Sequence, residues 1–293
     1  MPPNDDPYLS LPRPLFTVIT VCLNAGTAVK DTAASVDSQT FSRYEHIIKD
    51  GGSKDGSLDA LGPNPNRRLI QRADTGIYDA MNQALEAARG EFILFLNAGD
   101  LLRDETVLAD LASSSDPMYT DLVYFDYFNA DAGSVVCQPR VLTPFYLFRT
   151  MLCHQTCLFN AKLYTRHGGF DTELKVVADY DFLLRSVLSQ LGQTRHVKRV
   201  GVFYQGGGFS AQPQNQARLQ AEVACLRKRH FPPGQRTWFS LLYKLTLPSL
   251  RRKLYTWPWL KPLRPIYTRL INGLYSLMAL GRRTLLHRNR PIP

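Results

Sequence analysis

Cysteine is sparse in this chain, and the five present (Cys22, Cys137, Cys153, Cys157, Cys225) make no CxxC pair and no ladder with histidine at zinc spacing. A disulfide scaffold and a structural zinc module are excluded as organising principles. Long apolar runs are missing too: the longest are about ten residues, half of what a membrane-crossing helix needs. Met1 to Pro14 holds two Asp and five Pro and no apolar stretch, so it reads as a Pro-rich leader and not as a signal peptide. Acid is what the end of the chain lacks most. After Glu222 there is no Asp or Glu, while 15 Lys and Arg follow. Residues 1–222 carry a net charge of −5 and residues 223–293 a charge of +15, so the total of +10 belongs to the tail. At 293 residues and 44% hydrophobic content, the chain is long and apolar enough for a large folded core, which excludes a disordered chain. These absences predict a reducing, cytoplasmic protein.

What is present reads as an α/β domain. Phe16 to Leu23 is a buried-strand run, Asn24-Ala-Gly26 turns the chain into a helix ending near Phe41, and Tyr44 to Lys49 is a second strand. The loop Asp50-Gly-Gly-Ser-Lys-Asp-Gly-Ser57 follows, dense in turn residues. Arg68 to Arg72 predicts a third strand, Asp74-Thr-Gly76 the start of a helix with Met81 and Leu85 on its core face, and Glu91 to Leu96 a fourth strand entering Asn97-Ala-Gly-Asp100. Strand, helix and strand repeated at this spacing predict a largely parallel sheet flanked by helices, with ligand sites beyond the strand C-termini. Further on, strands are expected at Leu122–Phe128, Val135–Val141 and Arg195–Val202, a short segment at His154–Phe159, and helices at about 179–191 and 212–229. No internal repeat is visible.

Four segments in order resemble the family 2 glycosyltransferases, enzymes of the GT-A fold that use nucleotide-diphosphate sugars. They are Val18-Ile-Thr-Val-Cys-Leu-Asn24, Asp50 to Ser57, Gly90-Glu-Phe-Ile-Leu-Phe-Leu-Asn-Ala-Gly-Asp100, and Ala178-Asp-Tyr-Asp-Phe-Leu-Leu-Arg185. With Gly76-Ile-Tyr-Asp-Ala-Met-Asn82, the pattern is most similar to the exopolysaccharide transferases of the colanic-acid type, over about residues 16–210. The resemblance implies a mixed, largely parallel GT-A sheet over residues 15–222, behind the leader of residues 1–14. It implies donor contacts from Val21, Asn24, Asp50, Asp74, Asn97 and Asp100, acceptor contacts from His154 and Gln155, and a catalytic base at Asp179. It also implies Mg²⁺ or Mn²⁺ held by Asp100. Two positions depart from the family pattern: the paired acids common after the second strand are here Asp50-Gly51, and the Asp-x-Asp motif is here Asn97 and Gly99, with Asp100 one place on.

The residue types suit the chemistry. Sugar transfer needs a nucleotide cradle, charge neutralisation at the leaving diphosphate and a base for the acceptor hydroxyl. Each candidate also has a plainer reading: Asp50 as an Asx-turn aspartate, Asp100 and Asp179 as helix caps, His154 as a core histidine, Gly206-Gly-Gly-Phe-Ser210 as an ordinary loop rather than a flap over the donor. Asp179 and Asp181 are two residues apart, so on a helix they point about 200° apart and only one can face the donor.

Residues 223–293 hold all three tryptophans, four tyrosines and eight prolines. Apolar residues at 238, 239, 241, 242 and 245, and from Ile266 to Met278, follow helical spacing. Basic amphipathic helices with aromatics suit an anionic bilayer surface; packing on the acidic body is the alternative, and nucleic-acid binding is not expected. The sequence therefore predicts an inverting, metal-dependent transferase, peripheral on the inner face of the membrane. It would move a sugar, a UDP-sugar being favoured, to a saccharide or polyprenyl-linked acceptor in polysaccharide or glycolipid synthesis. A silent membrane scaffold and a sugar-1-phosphate nucleotidyltransferase are the rival readings.

Overall fold

The computed structural model describes residues 13–59, 61–188, 193–208, 210, 212–245, 257–263 and 266–267. Two compact units divide the chain: Met1–Gln138 with Leu152–Glu222, and Pro139–Met151 with Val223–Pro293.

The first unit is built on a mixed sheet of nine strands among the described residues, ordered β3 (Arg67–Gln71), β2 (Tyr44–Asp50), β1 (Phe16–Cys22), β4 (Phe92–Phe95), β8 (Cys157–Asn160), β6 (Leu122–Asn129), β9 (Thr194–Tyr204) and β5 (Leu101–Leu102), with β7 (Ser134–Val136) beside β6. β1 (Phe16–Cys22) and β2 (Tyr44–Asp50) are buried along their whole length, as parallel strands covered on both faces must be. β3 (Arg67–Gln71) and β4 (Phe92–Phe95) extend the parallel run on either side. Cys22 stands opposite Asp50 and Asp50 opposite Gln71, so the loops after β1, β2 and β3 leave one edge of the sheet together. Helices α1 (Ala28–Asp37) and α2 (Ile77–Leu85) start from that edge. β8 (Cys157–Asn160) enters antiparallel between β4 and β6 (Leu122–Asn129), and β9 (Thr194–Tyr204) returns parallel to β6.

Several elements differ from the sequence expectation. The strand expected at Val135–Val141 is only Ser134–Val136 (β7), because the Gln138 N–H donates to the Asp126 carboxylate, 2.7 Å away, instead of continuing the ladder. β5 (Leu101–Leu102), α4 (Pro144–Arg149) and α5 (Lys162–His167) are additional, and the helix that a capping Asp100 would begin near Asp104 is α3 (Val107–Ala112). The helix expected from about 179 is α6 (Ala178–Val187), and the one expected from 212 is α7 (Gln216–His230). The leader up to residue 12 and the apolar pattern from 268 to 278 lie outside the described residues.

Rings beneath α6 fix where its first turn sits. Phe182 stacks on Tyr164 at 4.2 Å and meets Phe159 and Phe170 edge-on at 5.1 and 5.5 Å. Each such ring contributes about 1.5–3 kcal/mol by burial, so the N-terminus of α6 is rigidly placed over the sheet edge.

In the second unit, Thr143 caps α4 by accepting from the Tyr146 N–H at 3.0 Å. Phe145 and Phe148 of α4 cluster with Phe231 and with Phe239 of α8 (Pro233–Leu245). Arg227 covers Phe148 at 4.8 Å and donates to its carbonyl at 2.9 Å. α8 divides its apolar residues: Phe239 and Leu242 are buried, whereas Trp238 and Leu241 are exposed. Trp257 and Trp259, 5.5 Å apart, are exposed as well. Among the described residues no helix is long and apolar enough to cross a membrane.

Candidate active site

At the strand ends, the loop after β1 is zipped to the loop after β2. Asn24, with φ +50°, accepts from the Lys54 N–H at 3.0 Å while its own N–H donates to Ser53 Oγ at 2.7 Å. The Gly26 N–H reaches both Asp55 and Ser57. Asp50 organises this loop: it accepts from the Gly52 and Ser53 N–H groups, both at 2.9 Å, and from the Ser53 hydroxyl. Burial pushes its carboxyl up, but those donors outweigh it and hold it below the usual carboxylate range. Val21 lies on β1 opposite Lys49.

Lys49 itself is fully buried, and nothing in the local pattern marked it as part of the site. Its ammonium donates to the Asp50 and Arg72 carbonyls and to Asp74 Oδ2, at 3.0, 2.6 and 2.8 Å. The paired Asp74 leans over the turn after β2. A Cβ at Gly51 would stand 2.7 Å from Asp74 Oδ2, so the space a side chain at position 51 would take is filled by a carboxylate arriving from the loop before α2.

The Asn97–Asp100 turn follows β4. Gly99 sits at φ +101°, a conformation that favours glycine, and its N–H donates to Thr32 Oγ1 of α1 at 2.9 Å. Asp100 does not cap a helix. Its Oδ2 accepts from Gln155 Nε2 at 2.9 Å and its Oδ1 from the Gln205 N–H at 3.0 Å. Burial raises its carboxyl above the usual range, and the Gln205 and Gln155 donors and nearby His154 only partly offset this.

Asp179 stands in the first turn of α6, after an N-cap position occupied by Val177. Tyr78 of α2 donates its hydroxyl to Asp179 Oδ1 at 3.0 Å, and His154 Nδ1 lies 3.1 Å from Oδ2. The other nitrogen of His154, Nε2, is 3.2 Å from Asn97 Nδ2. With Nδ1 carrying the proton, one chain runs from the Asn97 amide through the imidazole to Asp179. Burial pushes the Asp179 carboxyl up, yet the His154 and Tyr78 bonds outweigh it and hold it below the usual range. Asp181 points elsewhere, into an ion pair with Arg185 at 2.9 Å. The Gly206–Gly208 loop is anchored by Asp131, which accepts from the Gly207 N–H at 3.1 Å; Phe209 lies outside the described residues.

The structure thus brings Asn97, Asp100, His154, Gln155 and Asp179 into one hydrogen-bonded cluster, with Asn24, Asp50 and Asp74 in the adjoining loops. Among the described residues no three His, Cys, Asp or Glu converge on a metal-binding position. A divalent cation here would draw most of its ligands from phosphate oxygens and water, as Mg²⁺ readily does. Asp100 fits such an ion: it is a hard ligand whose charge, costly where it is buried, a cation would offset. The Oδ1 of Asn97 in the same turn, buried without a donor among the described residues, is ready for a polar ligand.

Comparison with known proteins identifies the family and the fold. A model of glycosyl transferase family 2 matches residues 17–165. A PGL/p-HBAD biosynthesis glycosyltransferase of Mycobacterium tuberculosis is 33% identical over 210 residues, covering 67% of this chain and 79% of the relative. Among solved structures, Staphylococcus aureus TarS in complex with UDP-GlcNAc aligns with a TM-score of 0.60 at 19% identity, over 76% of this chain and 69% of that one. The mannosyltransferase PcManGT of Pyrobaculum calidifontis, in complex with GDP-Man and Mn²⁺, aligns at 0.57 and 19% identity, over 96% and 85%. The sheet with its flanking helices is that of the GT-A glycosyltransferases.

Proposed function

The chain belongs to glycosyl transferase family 2, and on that footing we propose that it is an inverting enzyme moving a sugar from a nucleotide-diphosphate donor, a UDP-sugar by preference, to a hydroxyl of a saccharide or lipid-linked saccharide. The observation that carries this is the carboxylate of Asp179, half-buried, held below the usual carboxylate range and aimed by Tyr78 and His154 beside the Asn97–Asp100 turn. Asp179 takes the proton of the acceptor hydroxyl as its oxygen bonds to the anomeric carbon. The bond from that carbon to the diphosphate breaks on the opposite face, so the configuration inverts. His154 and Tyr78 keep the carboxylate oriented, while Asn97 fixes the imidazole that holds it. The zipped loops at Asn24 and Asp50, with Asp74, form the nucleotide side of the site. A divalent cation on Asp100, when bound, neutralises the departing diphosphate. The UDP-GlcNAc complex of TarS supports a uridine donor, and the Mn²⁺ in PcManGT supports a metal.

The exposed Trp238, Leu241, Trp257 and Trp259, in a segment without acids, support a membrane-peripheral location.

Calorimetry with UDP, GDP and dTDP, with and without Mn²⁺, tests the donor site on the wild type, Asp100→Ala and Asp100→Asn. UDP binding that Mn²⁺ strengthens and both variants weaken about tenfold or more is expected. No binding of any nucleotide would leave the scaffold reading in its place. Retention of configuration in the product, seen by NMR, would overturn the inverting mechanism.

A further inference from the structure

A cavity of about 340 Å³ opens between the start of α2, the loop before α6 and the first half of α7. Thr75, Tyr78, Asp79, Leu174, Lys175 and Arg218 line it. Its size is that of a small-molecule site. Its walls are constructed rather than incidental. Both oxygens of Glu222 on α7 accept backbone N–H groups, from Lys175 at 3.0 Å and from Val176 at 2.9 Å. This clamp ties the loop that leads into Asp179 to α7, and leaves Glu222 no oxygen free of a donor. Arg218 lies one turn earlier on α7, where an i,i+4 pair with Glu222 would ordinarily form. It makes no such pair, and among the described residues its guanidinium has no hydrogen-bond or ion-pair partner. Lys175 gives one N–H to the Thr172 carbonyl at 2.7 Å, which leaves two more to offer. The lone acid of the lining, Asp79, is already engaged by the N–H and hydroxyl of Thr75, at 2.8 and 3.0 Å.

The cavity therefore presents two cations, one without a partner among the described residues, and reaches the base through a shared wall: Tyr78 lines it and donates to Asp179. We propose that this cavity is the acceptor subsite, and that Arg218 and Lys175 select an acceptor sugar carrying an anionic group, a phosphate or a carboxylate. Guanidinium binds either oxyanion in a bidentate fork, and a second cation beside it sharpens the preference for charge over a neutral hydroxyl. The inference rests on Asp179 being the base, and it names the acceptor class that the proposed function leaves open.

Ligand-observed NMR on the full chain, with UDP and Mn²⁺ present, tests it with four probes: glucose 1-phosphate, glucuronate, methyl glucoside and inorganic phosphate. Saturable binding of glucose 1-phosphate or of glucuronate, at least tenfold tighter than methyl glucoside, is expected; which of the two binds better identifies the source of the charge. Arg218→Gln and Lys175→Gln should each weaken that binding several-fold, with UDP affinity and melting temperature unchanged. Equal binding of the neutral sugar, unchanged affinity in both variants, or inorganic phosphate binding as tightly as the sugar anion would each overturn the subsite. Failure of the wild type to bind UDP would instead overturn the proposed function, so the two failures are distinct.

Discussion

Asp179 has a side-chain neighbour on each oxygen, and its basicity depends on which of them stays. His154 supplies the two largest influences that lower its carboxyl, against burial that raises it. Removing the imidazole in His154→Ala leaves burial less opposed, so the acid limb of the kcat/KM profile should move to higher pH, with kcat reduced about 10–100-fold; an unmoved limb would separate His154 from the base. Asp179→Asn should lower kcat by about 10²–10⁴-fold while UDP affinity in a binding titration stays within twofold. Gly51→Ala pushes a methyl to 2.7 Å from Asp74 Oδ2 and should weaken UDP binding measurably, whereas a surface Gly62→Ala, where a Cβ meets nothing within 4 Å, should not. At this scale the sequence was informative where a motif marks a residue, as at Asp50, Asp100 and Asp179. It was silent on Lys49, Thr32 and Gln205, whose roles arise only when chain distant in sequence folds back. The Tyr78–Asp179 bond joins residues 101 positions apart, and no local spacing encodes it.

Among the elements, β1, β2, β4 and α2 were legible because each buries a long run of the appropriate period. β5 has two residues and therefore no period to read. α4 was signalled only by Thr143-Pro144, a cap and first-turn pair within an otherwise irregular stretch. β7 stops early because a carboxylate captures the next amide, a competition that strand propensity does not record. β2 also carries a titration of its own. His46 is fully buried, bonded through Nε2 to Thr20 at 3.0 Å, with Nδ1 unpartnered among the described residues. Burial, aided by the charge of Arg67, pushes its pKa down to about 3. The unfolded chain takes up this proton near pH 6.5 and the folded chain does not until about 3. The stability linked to His46 is thus complete above pH 6.5 and declines as pH falls toward 3. His46→Gln, which keeps a partner for Thr20, should therefore lose less melting temperature than the wild type between pH 7 and pH 4.5 in a calorimetric scan; parallel losses would exclude His46 as the cause.

For the molecule as a whole, the division of charge was plain in the sequence, but the sorting of α8 was not, since helical spacing treats positions 238, 239, 241 and 242 as one stripe. Folding splits that stripe, burying Phe239 and Leu242 and leaving Trp238 and Leu241 exposed. The full chain should float with vesicles rich in phosphatidylglycerol at low salt and be released by about 0.5 M NaCl, because exposed charges are screened within a few ångströms there. Trp238→Ala combined with Trp259→Ala should reduce flotation several-fold with transferase activity toward a soluble acceptor retained; no flotation of the wild type at low salt would remove the membrane proposal. A different kind of consequence follows from Asp100, whose two oxygens reach Gln155 and Gln205. Gln205 is 105 residues further along the chain. A ribosome adding about 5–20 residues per second needs roughly 5–20 s to travel that distance. During that interval the nascent chain has its β1, β2 and β4 strands but not the amide that completes the carboxylate's surroundings. With Asp100 in its proposed role, competence for the donor is a late event in this protein's synthesis, and products released before residue 205 should be inert toward nucleotide-sugars rather than partially active competitors of the finished enzyme.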